Sequence, residues 1–142
     1  MQPFRTLPLS FRVSTGVLIL RLVAGLAFMF HGYEKIQHPF DWMGPDAGVP
    51  GIFQGLAAVS EFCGGLAWIL GLLTPLASLG IACTMAFALR LHILVLHDPF
   101  VGTKDHFSSF EPAAGYLCLA LFFVLAGPGR FSLDRAFFGE RV

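Results

Sequence analysis

Four long apolar runs that also carry charged residues constrain this chain more than any other feature. The first, residues 16–35, contains Arg21 within it and His31, Glu34 and Lys35 towards its far end. A helix of roughly 20 apolar residues can cross a bilayer. A charge at mid-bilayer depth costs at least ~2.5–3.5 kcal/mol, so such a side chain faces protein or water and has a partner. The later runs carry Glu61 in the second, Arg90 and His92 in the third, and Glu111 at the start of the fourth.

Composition supports a membrane environment for these runs. Hydrophobic residues make up 56% of the 142 residues and charged residues only 13%, about half the share that soluble domains carry. A domain of this size buries too small a fraction of its surface to hide so many apolar side chains in one core. The formal net charge of zero gives no electrostatic footprint for nucleic acid. The sequence therefore predicts an all-α polytopic membrane protein, with the lipid bilayer as a partner and no nucleic-acid partner.

The predicted fold is an antiparallel bundle of four transmembrane helices, formed as a single domain over residues 1–142. Its spans are predicted at residues 15–33, 52–72, 76–96 and 111–126. The turn between the second and third spans is so short that these two must be antiparallel neighbours. The loop between the first two spans is rich in Pro and Gly but keeps Trp42. Either Trp42 anchors this loop at the membrane interface, or the loop folds back over the bundle as a lid.

The distribution of Lys and Arg predicts how the bundle is oriented. The two ends of the chain carry Arg5, Arg12, Arg130, Arg135 and Arg141, whereas the two longer loops carry only Lys35 and Lys104. Basic residues next to membrane spans remain on the cytoplasmic side. We therefore expect both termini in the cytoplasm and both longer loops outside.

Helical periodicity, at about 100° per residue, places the charges and the small residues on common stripes. The stripes comprise Arg21, Gly25, Phe28, Gly32 and Lys35 on the first span, Gln54, Ala57, Glu61, Gly65 and Trp68 on the second, and Glu111, Gly115, Cys118 and Phe122 on the fourth. Small residues let membrane helices approach closely. We therefore expect all three stripes to face inward, with aliphatic residues elsewhere facing lipid.

Depth along the helices predicts which charges meet. Arg21 lies about a third of the way up the first span and can reach upward to Glu61, near the middle of the second. We expect these two to form an ion pair at the floor of a polar chamber. The outer half, towards which the chamber would open, contains His31, Glu34, Arg90 and Glu111. Arg90 and His92 point to nearly opposite sides; we expect Arg90 to face the chamber and His92 to make an oligomer or hairpin contact.

Metal and thiol chemistry find little support in the spacing of ligand residues. His31 and Glu34 give a single Glu/His spacing, in the reverse order of the paired Glu-x-x-His motifs of di-metal bundles. The sequence therefore predicts no metal site, and a haem would need His31 to face His92 at matched depth. The odd, dispersed set of cysteines argues against a disulfide framework. We expect them to be small buried packing residues, with a reactive thiol in the chamber as the alternative.

Three motifs occur in order along most of the chain. They are Arg21-Leu…His31-Gly32-x-x-Lys35, Glu61-x-x-Gly64-Gly65-Leu…Leu70-Gly71-Leu-x-Thr74-Pro, and Gly127-Pro-Gly-Arg-x-Ser-Leu-Asp134. Together they resemble the DoxX family of small bacterial membrane proteins. The resemblance implies four transmembrane helices in the cytoplasmic (inner) membrane. Some members are associated with thiosulfate:quinone oxidoreductase as a small subunit, and others with thiol-redox and oxidative-stress systems.

These observations predict a redox-associated subunit that binds a quinone-like or small sulfur-containing ligand in the outward-opening chamber. The expected ligand-binding residues are Arg21, His31, Lys35, Glu61, Trp68, Arg90 and Glu111, with His31 and Glu34 as candidate proton relay. No covalent cofactor is expected, quinone is the candidate non-covalent one, and electrons would come from a partner redox subunit. The chain would then be the small subunit of a quinone-linked oxidoreductase, or a homo-oligomer. The alternatives are a small-metabolite carrier or channel, and a structural assembly subunit whose charges only fix helix register.

Overall fold

The computed structural model describes residues 4–140, and the chain is helical over most of this length. Its helices are α1 (Phe11–Gln37), α2 (Gly51–Leu70), α3 (Thr74–Arg90), a π-helical extension of α3 (Leu91–Val95), α4 (Glu111–Ala126) and α5 (Leu133–Phe138). Helices α1, α2, α3 with its π-helical extension, and α4 form the predicted antiparallel bundle. Helix α5 is a short helix that follows α4. Arg141, one of the basic residues used to predict orientation, lies outside the described residues.

The helices have the dimensions of a membrane bundle. Within residues 4–140, α1, α2 and the segment Thr74–Val95 are long and apolar enough to cross a bilayer. Helix α4 is shorter, with 16 residues, and spans about 24 Å. Large apolar side chains such as Val23, Phe30 and Leu125 cover the outside of the bundle, each more than 60% exposed. The prediction of an all-α, four-helix membrane protein is confirmed.

The bundle has two distinct ends. We call the end that carries residues 4–10 and α5 the terminal end, and the end that carries the two long connections, residues 38–50 and 96–110, the loop end. Helix α1 begins at the terminal end, where the hydroxyl of Ser10 accepts a hydrogen bond from the backbone N–H of Val13. An N-cap of this kind satisfies one of the N–H groups that the first helical turn leaves unpaired.

Glycines set the close approach of α1 and α2. A Cβ atom added at Gly25 would lie 2.7 Å from the carbonyl oxygen of Gly65, and one added at Gly65 would lie 2.6 Å from that of Gly25. One turn beyond Phe28 on α1, a Cβ at Gly32 would lie 2.5 Å from the backbone nitrogen of Phe62. Because only glycine fits at these contacts, the register between the two helices is fixed.

The inward stripes predicted for the first two spans are largely correct. Four of the five residues named on the first span are buried, and Lys35 is partly exposed; four of the five on the second are buried, and Ala57 is partly exposed. The stripe predicted for the fourth span is wrong, since Glu111, Gly115, Cys118 and Phe122 are all exposed. Helix α4 is apolar on every side, so no polar stripe marked the face that packs. The prediction assumed that Glu111, the one charged residue of α4, faces inward, and it therefore chose the wrong face of the helix.

Aromatic rings fill the centre of the bundle. The rings of Phe28 and Trp68 meet edge to face at 5.4 Å, and Trp68 meets Phe123 of α4 at 4.8 Å. Edge-to-face pairs of this kind stabilise beyond their buried area. The indole N–H of Trp68 donates to the hydroxyl of Ser78 at 2.8 Å. Trp68 is therefore a satisfied core residue that joins α1, α2, α3 and α4.

The terminal end is held by a buried arginine. The guanidinium of Arg21 donates to the carbonyl oxygens of Trp68 (2.7 Å), Ile69 (3.0 Å), Pro128 (2.9 Å) and Phe131 (2.8 Å). The first two carbonyls belong to the last turn of α2, where the regular helical bonds end; that of Trp68 also accepts from Gly71 N–H at 3.2 Å. Arg21 thereby ties α1 to the end of α2 and to the segment that follows α4.

The same segment holds the start of α3. The buried carboxylate of Asp134 accepts from the backbone N–H groups of Leu73 (2.6 Å) and Thr74 (2.8 Å). Leu73 has a left-handed backbone conformation, with φ of 49°, which costs free energy for a residue with a side chain. The carboxylate compensates for this strain and caps the N-terminus of α3, where a negative charge is also favoured by the helix dipole. The tight turn after α2 therefore depends on a residue about 60 positions away.

The glycine contacts predict the effect of adding one methyl group. Gly65→Ala should lower the free energy of unfolding by about 1–3 kcal/mol, because its Cβ would overlap α1 backbone. Gly115→Ala is the matched control, since nothing lies within 4 Å of its added Cβ; it should be neutral or stabilising by up to ~1 kcal/mol. Chemical unfolding in micelles measures both. Equal stabilities for the two variants would show that α1 and α2 are not packed at Gly65.

Candidate functional site

A buried ion pair lies at the loop end. The ammonium of Lys35 donates to both carboxylate oxygens of Glu61, at 2.8 and 2.7 Å. The Glu61 side chain is 3% exposed and that of Lys35 is 25% exposed. The contact between Gly32 and Phe62 places Glu61 about 3 Å below the level of Lys35 along the helix axes, within reach of a lysine side chain. A carboxylate buried in this way requires such a partner.

The predicted ion pair between Arg21 and Glu61 is wrong. Arg21 lies about 16 Å below the level of Glu61, counted from Gly32 at the helical rise per residue, which is beyond the reach of either side chain. Backbone carbonyls at the end of α2 and in the segment after α4 accept all the described hydrogen bonds of Arg21. The sequence shows which charged side chains could pair. It does not show that a backbone carbonyl, which every residue carries, will be the partner instead. Arg21 is therefore part of the terminal end and not the floor of a chamber.

The loop that follows α1 folds back over the ion pair. The Lys35 ammonium lies 4.5 Å from the centre of the Trp42 ring, a cation–π contact. The indole N–H of Trp42 donates to the carbonyl oxygen of Gln54 at 3.0 Å. The Gln54 side chain accepts from Met43 N–H at 3.0 Å and donates to the carbonyl of Val49 at 2.9 Å. Of the two predicted roles for this loop, the structure shows the folded-back, lid-like arrangement.

A polar cleft of about 450 Å³ opens beside the ion pair. Its lining residues are His31, Glu34, Lys35, His38, Asp41 and Trp42. Of the predicted site residues, the structure thus brings His31, Glu34 and Lys35 together, with Glu61 directly beneath Lys35. On the side of the cleft that faces the bundle core, the centre of the His31 ring lies 6.4 Å from the ring centres of Phe28 and Tyr116. Ligand binding by these residues stays a prediction.

The other predicted site residues lie elsewhere. Arg21 and Trp68 are buried at the terminal end and in the core, while Arg90 and Glu111 are exposed and do not line the cleft. The expectation that Arg90 faces the chamber is wrong, whereas the expected hairpin contact of His92 is confirmed by its bond to Asp98. The π-helical turns after Arg90 direct the chain so that His92 bonds to the loop of its own hairpin. The cysteines are also not packing residues, since Cys63, Cys83 and Cys118 are all exposed on the bundle surface.

A second polar cluster, which the sequence analysis missed, lies in the α3–α4 loop. The carboxylate of Asp98 accepts hydrogen bonds from His106 (2.5 Å), His92 (2.6 Å) and Ser108 (2.7 Å). These bonds, that of His106 foremost, hold the pKa of Asp98 well below its usual range. The only signal in the sequence was an Asp directly after the third span with histidines on both sides, a pattern too general to predict contacts. Within residues 4–140, no group of three or more His, Cys, Asp or Glu side chains is arranged to hold a metal ion.

The fold and the site together define a multi-pass membrane protein built as a four-helix bundle, with a buried Lys–Glu pair under a polar cleft. The family model of DoxX matches residues 16–98, more than half of the chain. The protein belongs to the DoxX family, as the sequence motifs predicted.

Two relatives are membrane proteins as well. Over 131 residues the chain is 34% identical to the uncharacterised membrane protein Rv3486 of Mycobacterium tuberculosis, covering 84% of this chain and 80% of that protein. Over 129 residues it is 33% identical to the inner membrane protein YqjF of Escherichia coli, covering 84% of this chain and 90% of that protein. No solved structure matches the chain.

The burial of Glu61 predicts an asymmetric response to breaking the ion pair. Lys35→Met should destabilise the fold by about 3 kcal/mol, because it leaves the buried carboxylate without a partner. Glu61→Gln should cost less, since Lys35 is partly exposed and can reach water. Combining the two changes should recover much of the loss. The free energies of unfolding of the wild type, the two single variants and the double variant, measured in micelles, form a double-mutant cycle. If the effects of the two single changes simply add in the double variant, the two side chains do not interact directly.

The Asp98 cluster predicts a pH-dependent contribution to stability. Because the folded-state pKa of Asp98 is lowered, its contribution is fully present above the unfolded pKa of about 3.9 and is lost as pH falls through the folded pKa. Asp98→Asn should therefore destabilise the α3–α4 loop at neutral pH, and the difference from wild type should shrink below pH ~4. Hydrogen exchange of the loop amides over a pH series measures this. A variant as well protected as wild type at neutral pH would contradict it.

Proposed function

We propose that this protein is a redox-associated subunit of the bacterial inner membrane that binds a small ligand in the cleft at the loop end. The ligand would be quinone-like or a small sulfur-containing compound. The observation that carries the proposal is the cleft itself, where an indole face and several polar side chains surround one 450 Å³ space. Ligand sites combine an apolar surface with a few convergent polar groups in this way.

The lining residues suit a flat ligand that exchanges protons. Trp42 offers a ring face against which a planar head group could stack. The imidazoles of His31 and His38 can donate hydrogen bonds to carbonyl oxygens and can act as general acids or bases. His31 and Glu34 remain the proposed proton relay, since both are exposed to the cleft. The ligand would be held non-covalently, and a partner redox subunit would supply or accept the electrons.

The charge distribution supports an orientation in which the cleft opens outward. Of the described basic residues near the ends of the bundle, four lie at the terminal end (Arg5, Arg12, Arg130 and Arg135), and three lie at the loop end (Lys35, Arg90 and Lys104). Under the positive-inside rule, the terminal end then faces the cytoplasm. The name of the YqjF relative, an inner membrane protein, supports the same membrane for this chain.

The packing below the cleft favours a blind binding site over a carrier or channel. Phe28, Trp68 and Phe123 fill the centre of the bundle and are each no more than 1% exposed. Arg21 then joins the helix ends beneath them. A solute passing from one end to the other would have to displace both layers.

Direct binding tests the proposal. Purified protein in nanodiscs should bind a short-chain benzoquinone analogue, measured by titration calorimetry. Trp42→Ala should weaken binding by roughly threefold to tenfold, because a ring contact contributes about 0.5–1.5 kcal/mol. Phe107→Ala is the matched control, since this loop-end aromatic is 89% exposed and does not line the cleft. Absence of binding, or equal affinities for the two variants, would count against a quinone site and in favour of an assembly role.

A further inference from the structure

The charges that line the cleft do not balance. Among the described lining residues, Glu34 and Asp41 are negative and Lys35 is positive. Lys35 is already paired with Glu61, which lies beneath the cleft and is 3% exposed. Once this pair is counted together, two carboxylates face the cleft without a cation of their own among the lining side chains. The cleft is therefore acidic, although it contains a lysine.

Glu61 neutralises the Lys35 ammonium and engages two of its three N–H donors. Both oxygens of Glu61 accept from it, at 2.8 and 2.7 Å, and the Trp42 ring covers another side at 4.5 Å. An anion that displaced Glu61 would leave a buried carboxylate unpaired, which is strongly unfavourable, and an anion that shared Lys35 would meet a pair whose net charge is zero. A neutral ligand imposes no such cost, because the pair can remain intact while the ligand contacts Trp42 and the histidines.

We infer that Glu61 determines the charge selectivity of the cleft, by neutralising Lys35 so that neutral ligands are accepted and small anions are rejected. The inference rests on the proposed function, because it concerns the ligand of that same cleft. It separates the two ligand classes proposed there: neutral quinone-like or thiol compounds fit the charges, and sulfur oxyanions do not. Glu34 and Asp41 add a weaker repulsion, since both are exposed and screened by water and salt.

The test compares one neutral and one anionic probe on the full-length protein in nanodiscs of neutral lipid. The probes are a short-chain benzoquinone and thiosulfate. Titrations at pH about 8, where free imidazole is neutral, and at an ionic strength of about 0.01 M, where screening is weak, give the two affinities. The variants are Glu61→Gln and the double change Glu34→Gln with Asp41→Asn. Glu140→Gln is the matched control, because it removes one carboxylate at the terminal end, beside Arg135.

We expect wild type and Glu140→Gln to show no measurable thiosulfate binding. Glu61→Gln should raise thiosulfate affinity by about tenfold or more, because it leaves the partly buried Lys35 charge without its carboxylate partner. The double variant should raise it by roughly twofold to threefold, and it folds independently of the buried pair because both residues are exposed. Adding Lys35→Met to Glu61→Gln should abolish the gain.

Two results would overturn the inference. One is wild-type binding of thiosulfate as tight as that of Glu61→Gln, and the other is no gain of thiosulfate binding in Glu61→Gln, whatever the double variant does. The outcome for benzoquinone is separate. If wild type binds no quinone but Glu61→Gln gains thiosulfate binding, then the proposed function fails while the charge selectivity stands.

Discussion

The buried guanidinium of Arg21 is the contact on which the rest of this bundle depends. It reaches carbonyl oxygens at the end of α2 and in the segment after α4, which are more than 40 and 100 residues away in sequence. Arg21 itself is fully buried, and a buried carbonyl left unpaired costs about 1–3 kcal/mol. One side chain therefore bonds several carbonyl groups near the helix ends. With Asp134, which caps α3 from the same segment, it closes the terminal end of the bundle.

The contacts at the terminal end and the glycine contacts between α1 and α2 fix the register of these two helices. This register places the side chains of the candidate site next to one another. Because Gly25 meets Gly65 and Gly32 meets Phe62, Lys35 can pair with Glu61. The residues of the family motifs thus fall into two groups by position. Arg21, the turn from Gly71 to Thr74, and Asp134 hold the terminal end, whereas Lys35 and Glu61 lie at the cleft. The motifs specify both a scaffold and a candidate site, at opposite ends of the same helices.

The cleft combines a rigid base with a covering loop. Its base is the α1–α2 pair, and its cover is the segment around Trp42, held by three hydrogen bonds to Gln54. Below it, the aromatic layer of Phe28 and Trp68 excludes a water-filled path. A cleft that is closed below and lined by ionisable groups can be reached only from the loop end. The redox chemistry proposed for this chain would therefore require a partner subunit to supply or accept electrons.

The sequence by itself determined the class of protein, the four helices, and the inward faces of α1 and α2, because length, hydropathy and glycine spacing are properties of each segment alone. It also identified His31, Glu34, Lys35 and Glu61 as candidate site residues. Only the tertiary structure decided that Lys35 rather than Arg21 pairs with Glu61, because pairing depends on the register between two helices. It also decided that Arg90 and Glu111 lie outside the cleft. For Glu111 the reason is that α4 carries no polar stripe to mark its packed face. The Asp98 cluster needed the fold for the same reason: its members meet only after the chain turns back after α3.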